Sequence, residues 1–175
     1  MSTKRFGFRI SDFGFKQRGF TLIELLITVA IIAILISIGS ASFLRAQRQG
    51  RDAQRKSDLG QVASALEQYY ADWNFYPEDN SGVIMCGAPI VARNWGVDRF
   101  DCDTVSGLKI YLSNTLPQDP NGSPTYFYDA QSSSGGSCLE PDCQRFIIGT
   151  NLENDNDDDR EVDCITGYDY CVRNP

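Results

Sequence analysis

Histidine is absent from the 175 residues. That removes imidazole as a general base, a triad partner and a zinc ligand. Proline is missing until Pro77, so nothing earlier is barred from a helix on that ground. Charge is missing from Leu25 to Leu44, a stretch of twenty residues. Positive charge is scarce overall: 16 Lys+Arg stand against 23 Asp+Glu, a formal net charge of −7. Such a balance is not built to grip nucleic-acid phosphates, which need clustered cations. No motif gathers an acid, a base and a nucleophile, and none holds a cofactor, so the chain does not read as an enzyme.

What is present is concentrated at the start. Leu22 to Ile38 holds fourteen apolar residues in seventeen. The uncharged stretch has about the length a helix needs to cross a bilayer core. A plain anchor or a removed signal would suffice for that, and Gly39-Ser-Ala-Ser-Phe43 offers small residues for a signal cleavage site. Neither reading needs Glu24, a carboxylate near the front of the apolar run. In hydrocarbon an ionised carboxylate costs several kcal/mol unless partnered or neutralised. Scission between Gly19 and Phe20 would create an α-ammonium four residues before Glu24, within reach of it in the same helix or a neighbouring one.

The segment Gly19-Phe-Thr-Leu-Ile-Glu-Leu-Leu26, behind a basic leader, resembles the N-terminus of type IV pilins and pseudopilins. The likeness continues more loosely through Arg51–Leu59 and Ala65–Trp73, covering about the first 77 residues. It implies cleavage after Gly19 by a membrane-embedded prepilin peptidase and N-methylation of Phe20. It also implies contact between Glu24 and the N-terminus of an adjacent subunit during assembly. Two features depart from the pattern: the leader is long, and the proline common midway along the first helix is missing. Gly39-Ser40 stands near that place and offers either a bend or close helix packing. Five basic residues precede the apolar run and five follow soon after, so charge alone does not orient it.

Past the apolar run, Leu59, Val62, Ala63, Leu66, Tyr69, Tyr70 and Trp73 keep helical spacing. One helix from Phe20 to about Trp73 is expected. Its first half is apolar all round and its second half amphipathic. The basic stretch Arg45 to Lys56 reads as a solvated collar near lipid headgroups, as a partner for acidic surfaces of neighbouring subunits, or as a DNA contact. Five of the basic and one of the acidic residues precede Phe20, leaving 11 and 22 in a processed chain, net −11, which disfavours DNA.

The four expected segments are a cleaved leader (1–19), a membrane-spanning and filament-core half-helix (20–44), an amphipathic half-helix (45–76) and a small globular part (77–175). In the last, a loop-like region runs to about Gly107. Leu108–Leu112 is a short helix or strand. Tyr126–Tyr128 and Arg145–Ile148 read as strands, joined through the loop at Ser132–Gly136, with a weaker last strand or ordered loop in Val162–Tyr170. The run Leu116-Pro-Gln-Asp-Pro120, Tyr126–Tyr128 and Ile148–Glu153 is similar to the small antiparallel sheet region of bacterial pilins. That implies an α+β fold, a long helix packed on a small antiparallel sheet. Asn121-Gly-Ser123 fits a glycosylation sequon but follows Asp119-Pro120 as a plain turn would.

All six cysteines lie after residue 80 and none forms a CxxC pair. Without histidine, disulfides in an oxidising compartment are favoured over zinc. Nearest-neighbour pairing would join Cys86–Cys102, Cys138–Cys143 and Cys164–Cys171. Asn151 to Asp163 carries seven acidic residues. Glu153, Asp155, Asp157, Asp159 and Asp163 could ligate calcium, as in some type II secretion pseudopilins. The alternatives are a solvated turn or a charged contact to another subunit, and the glycine of an EF-hand loop is missing.

The reading that follows is a structural subunit of a type IV filament, a self-associating polymer for adhesion, motility or DNA uptake. It would be stored in the inner membrane with its leader in the cytoplasm. An inner-membrane assembly machine would then extract it into an extracellular or periplasmic filament. A type II secretion pseudopilin is the first alternative. A minor tip subunit, binding through a patch around Trp95 and Phe100, is another.

Overall fold

The computed structural model describes residues 19–104, 107–122, 126–161 and 164–174, and within the helix leaves aside the side chains of 38–41. The leader, the Gly39-Ser40 bend, Ser123 of the sequon, Val162 and Asp163 lie outside the described residues. The chain forms two units, Met1–Ser42 and Phe43–Pro175.

Helix α1 runs Leu22–Trp73. With no proline to remove a donor, its end is set by Asn74, which adopts a left-handed φ of 61° while its N–H reaches the Tyr70 carbonyl at 2.7 Å. In the second unit the buried positions are Asp52, Arg55, Leu59, Val62, Leu66 and Tyr69, alternating three and four residues apart, with Ala65 beside them. That spacing keeps one stripe facing inward. Gly60, Gln61, Ser64 and Gln68 face out.

Against this stripe lie three antiparallel sheets, where the sequence suggested one. The first contains β1 (Glu78–Asn80), β2 (Val83–Cys86) and β3 (Val91–Arg93) in that order. The second pairs β4 (Arg99–Thr104) with β5 (Gly107–Thr115). The third contains β6 (Phe127–Ser132), β7 (Cys143–Thr150) and β8 (Tyr170–Arg173) in that order. Four strands therefore occupy the region expected to be loop-like. Only the shortness of β1 to β3 hid them. In β4, Phe100 and Cys102 alternate with acidic residues in sequence, but Asp101 between them is buried too. Leu108–Leu112 is strand, inside β5. The last strand is four residues long and begins at Tyr170, where the earlier expectation ended.

The β1–β2 hairpin turns through Ser81 and Gly82, both with positive φ. Gly82 is needed there twice over, since a Cβ would sit 2.4 Å from the Phe127 ring. The core gathers Leu59, Val62, Leu66 and Tyr69 of α1 with Ile84, Phe100, Leu116, Tyr128, Phe146 and Ile148. Fully burying each large side chain contributes about 1.5–3 kcal/mol. Three disulfides close it. Cys86–Cys102 joins β2 to β4, Cys138–Cys143 closes the loop before β7, and Cys164–Cys171 ties β8 to the loop before it. Trp95 is half-buried and donates its indole N–H to the Gly82 carbonyl at 2.9 Å, and Phe100 is fully buried. The expected binding patch around these two aromatics is thus core packing.

Candidate functional site

Gly19 and Phe20 are exposed and non-helical, immediately ahead of α1. A Cβ on Gly19 would meet nothing within 4 Å, so the fold places no demand for glycine there. Thr21 caps the helix. Its hydroxyl accepts the Glu24 N–H at 3.3 Å, and its carbonyl accepts the N–H groups of Glu24 and Leu25. Thr21-x-x-Glu24 has the sequence form of a capping box, with Glu24 in the first turn where the helix dipole favours an anion. The [ST]-x-x-[DE] pattern before an apolar run is the signal that announces it, and the reading of Glu24 as an assembly residue had passed over it.

Behind Glu24, every described large apolar side chain from Leu22 to Leu44 is exposed, Leu22 at 83%. Two hydroxyls in this stretch bond back to the helix. Thr28 donates to the Leu25 carbonyl and Ser37 to the Ile34 carbonyl, both at 2.8 Å. Backbone groups are consumed by the helix. Glu24 has no cationic partner among the described residues. Among them, too, no single helix is long and apolar enough to cross a membrane; Leu22–Ser37 and Ser42–Trp73 reach that measure only as a pair, by length and composition.

A second polar constellation lies in the globular unit. Arg55, only 2% exposed, donates to Asp119 at 2.5 Å (Nε) and 3.0 Å (Nη2), and to Asp52 at 2.7 Å. Its Nη1 also lies 2.9 Å from Glu153, which Arg51 engages as well. Asp52 accepts the backbone N–H groups of Glu153 and Asn154, each at 2.9 Å. Lys56 donates to Asp157 at 2.6 Å and Asp159 at 2.7 Å. Arg51 above all, then Arg55, holds the Glu153 carboxyl down to about 2. The Lys56 ammonium lowers Asp157, and Asp119 chiefly raises Arg55. Three cations of the basic stretch therefore neutralise the chain's own acidic run, which corrects the expectation that they face lipid, neighbours or DNA.

The same pairing involves the candidate calcium ligands that are described. Glu153 is engaged by Arg51 and Arg55, Asp157 and Asp159 by Lys56, and one oxygen of the exposed Asp155 by Arg160 at 2.6 Å. Among the described residues no three acidic or thiol side chains are arranged to hold a metal ion, and Asp163 lies outside them. The sequon's Asn121 sits in a turn, with its amide N–H on Asp119 and its side chain on Glu153.

A helix-first α+β chain with this leading segment defines a class of proteins. The segment itself matches the prokaryotic N-terminal methylation motif over residues 14–40. The chain is 31% identical over 125 residues to the type II secretion system core protein G of Pseudomonas aeruginosa, covering 69% of this chain and 78% of that one. It is 29% identical over 113 residues to the core protein G of Pectobacterium carotovorum, covering 62% and 65%. To the type IV major pilin protein PilA of Myxococcus xanthus it is 36% identical over 70 residues, 40% of this chain but only 32% of that pilin. No solved structure matches significantly. The chain belongs to the type IV pilin and type II secretion pseudopilin superfamily.

Proposed function

We propose that the chain is a structural subunit of a type IV filament, cut between Gly19 and Phe20, methylated on Phe20 and polymerised through α1. One observation carries this reading: a helical surface from Leu22 to Leu44 whose described large apolar side chains are all exposed, with a single carboxylate, Glu24, in its first turn. Such a surface needs lipid before assembly and copies of itself afterwards. In both settings Thr28 and Ser37 bond back to the helix, whereas the Glu24 carboxylate needs a cationic partner. Scission at Gly19 supplies an ammonium, and docking at the wrong height leaves the carboxylate unpaired, so Glu24 sets register.

The implied partners are a prepilin peptidase, an inner-membrane assembly machine and further copies of the chain. The three disulfides support an oxidising compartment for the globular unit, and so a leader on the cytoplasmic side. The role is structural rather than catalytic. The test is mass spectrometry of the native N-terminus, expected to give N-methylphenylalanine at position 20. A product beginning at Met1, or downstream of Leu44, overturns the reading. Glu24→Ala is expected to insert in the membrane and fail to assemble.

A type II secretion pseudopilin is the second reading. Its support is the length of the match, 125 residues with a core protein G against 70 with the Myxococcus pilin. Deletion separates the two: loss of protein secretion with surface fibres intact favours the pseudopilin, and loss of fibres favours the pilin. With Phe100 buried and Trp95 half-buried against the core, the tip-adhesin reading keeps no observation of its own.

A further inference from the structure

Two cations of the basic stretch escape the acidic run. Arg45 and Arg48, both exposed, have no carboxylate partner among the described residues, in a chain with seven more acidic than basic side chains. They lie one helical turn apart and, with Gln49, form one wall of a cavity of about 440 Å³. Asn154, Asp155 and Asn156 form much of the other wall. Glu153 also borders it but is already engaged by Arg51 and Arg55. Asp155 is 90% exposed, and its recorded contact is one oxygen with Arg160. The cavity thus offers two guanidinium groups on one side, a carboxylate on the other and amides between.

That order of charges fits a zwitterion. Paired guanidinium groups match a phosphate bidentately. A carboxylate facing them matches a primary ammonium, and the amides suit ester and hydroxyl oxygens. Sequence position supplies the source. Arg45 directly follows Leu44, the last residue of the uncharged stretch, so the first polar turn after a membrane crossing falls at headgroup height. We infer that this cavity seats the phosphoethanolamine headgroup of a phospholipid, with phosphate on Arg45 and Arg48 and the ammonium on Asp155. Phosphatidylglycerol would bring no cation to Asp155. Phosphatidylcholine would bring a quaternary ammonium that donates no hydrogen bond, and no aromatic face lines the cavity to receive it. The site would hold the unassembled subunit at a fixed height and release its lipid on extraction. The inference rests on the membrane-stored subunit proposed above.

The test is native mass spectrometry of the full chain in mild detergent, offered equal amounts of phosphatidylethanolamine, phosphatidylcholine and phosphatidylglycerol. Phosphatidylethanolamine adducts are expected to exceed each of the others about tenfold, the ratio that one charge-assisted contact set commands. The double variant Arg45→Gln, Arg48→Gln is expected to abolish them. Asp155→Asn should reduce them to the phosphatidylcholine level. Excess soluble phosphoethanolamine should strip them, and inorganic phosphate should do so far less well. Equal phosphatidylglycerol binding, adducts surviving in the double variant, or equal stripping by inorganic phosphate each overturn the inference, leaving only a nonspecific anionic attraction. Both variants change exposed groups, and an unchanged melting temperature verifies folding. A chain bearing N-methylphenylalanine at 20 without lipid preference sinks this inference alone; one retaining Met1 sinks the filament reading instead.

Discussion

Leu26 and Leu66 belong to the same helix, forty residues apart, and are covered in opposite ways. Leu26 is more than half exposed, and Leu66 is completely buried among strands of its own chain. The contrast holds for the two stretches as wholes. From Leu22 to Leu44 the sequence is almost wholly apolar, and every described large apolar side chain is exposed. From Asp52 to Tyr69 a single stripe is inward, and the chain covers it with three sheets. Charge follows the same division. Glu24 has no cationic partner among the described residues, whereas Asp52, Arg55, Asp119 and Glu153 are joined in one network. The difference teaches that one helix carries two kinds of apolar surface, one buried within the globular unit and one exposed among the described residues.

Substitutions that separate the two stretches test this. The largest effect belongs to Arg55→Ala. It strands the carboxylates of Asp52 and Asp119 in a buried site and should cost the globular unit about 3–5 kcal/mol. Arg48→Ala, two turns earlier and without a carboxylate partner among the described residues, should cost under about 0.5 kcal/mol. Denaturant titration of the two variants reads this difference directly, and equal losses would show the buried pairing to be idle.

Next come the two leucines. Leu66→Ala should lower unfolding free energy by about 2–5 kcal/mol through cavity formation. Leu26→Ala should leave it unchanged and instead weaken filament assembly, read by sedimentation of filaments. A drop in stability from Leu26→Ala would mean that its stretch is covered within the monomer.

Acid gives a smaller and graded effect. With Glu153 held at about 2 in the folded state against 4.5 when free, its contribution is present above about pH 4.5 and lost as pH falls through about 2. Asp157 shifts in the same direction. The Glu153 share is on the order of 2–3 kcal/mol. Melting temperature should therefore fall across that window, and Glu153→Gln should be less stable at neutral pH and flatter in acid. A parallel decline in wild type and variant would remove Glu153 from the account.

The smallest effect is the cap. Thr21→Ala should cost helix stability about 1 kcal/mol at the N-terminus, visible as faster amide exchange over the first turn, with the melting of the globular unit untouched.

Much of this was legible residue by residue. Gly19-Phe-Thr-Leu-Ile-Glu24 marked the leading segment, the 3–4 spacing of Leu59, Val62, Leu66 and Tyr69 marked the inward face, and chain order sufficed for the three disulfides. Strands β1 to β4 were harder to see. Each is only three to six residues long, and such pieces carry too few periods for alternation to stand out from loop. The partner of Arg55 was harder still, because Asp119 is 64 positions away and many carboxylates compete for the same cation in a linear reading.

Sequence alone therefore determined where the helix lies, which part of it is apolar all round and where one unmatched carboxylate sits, because these depend on residues within a few turns of each other. Only the tertiary structure decided that the acidic run answers Arg51, Arg55 and Lys56 while Arg45 and Arg48 stay open. Ion pairs are made in space between distant residues, and which of several equal charges meet is settled by packing, not by order along the chain.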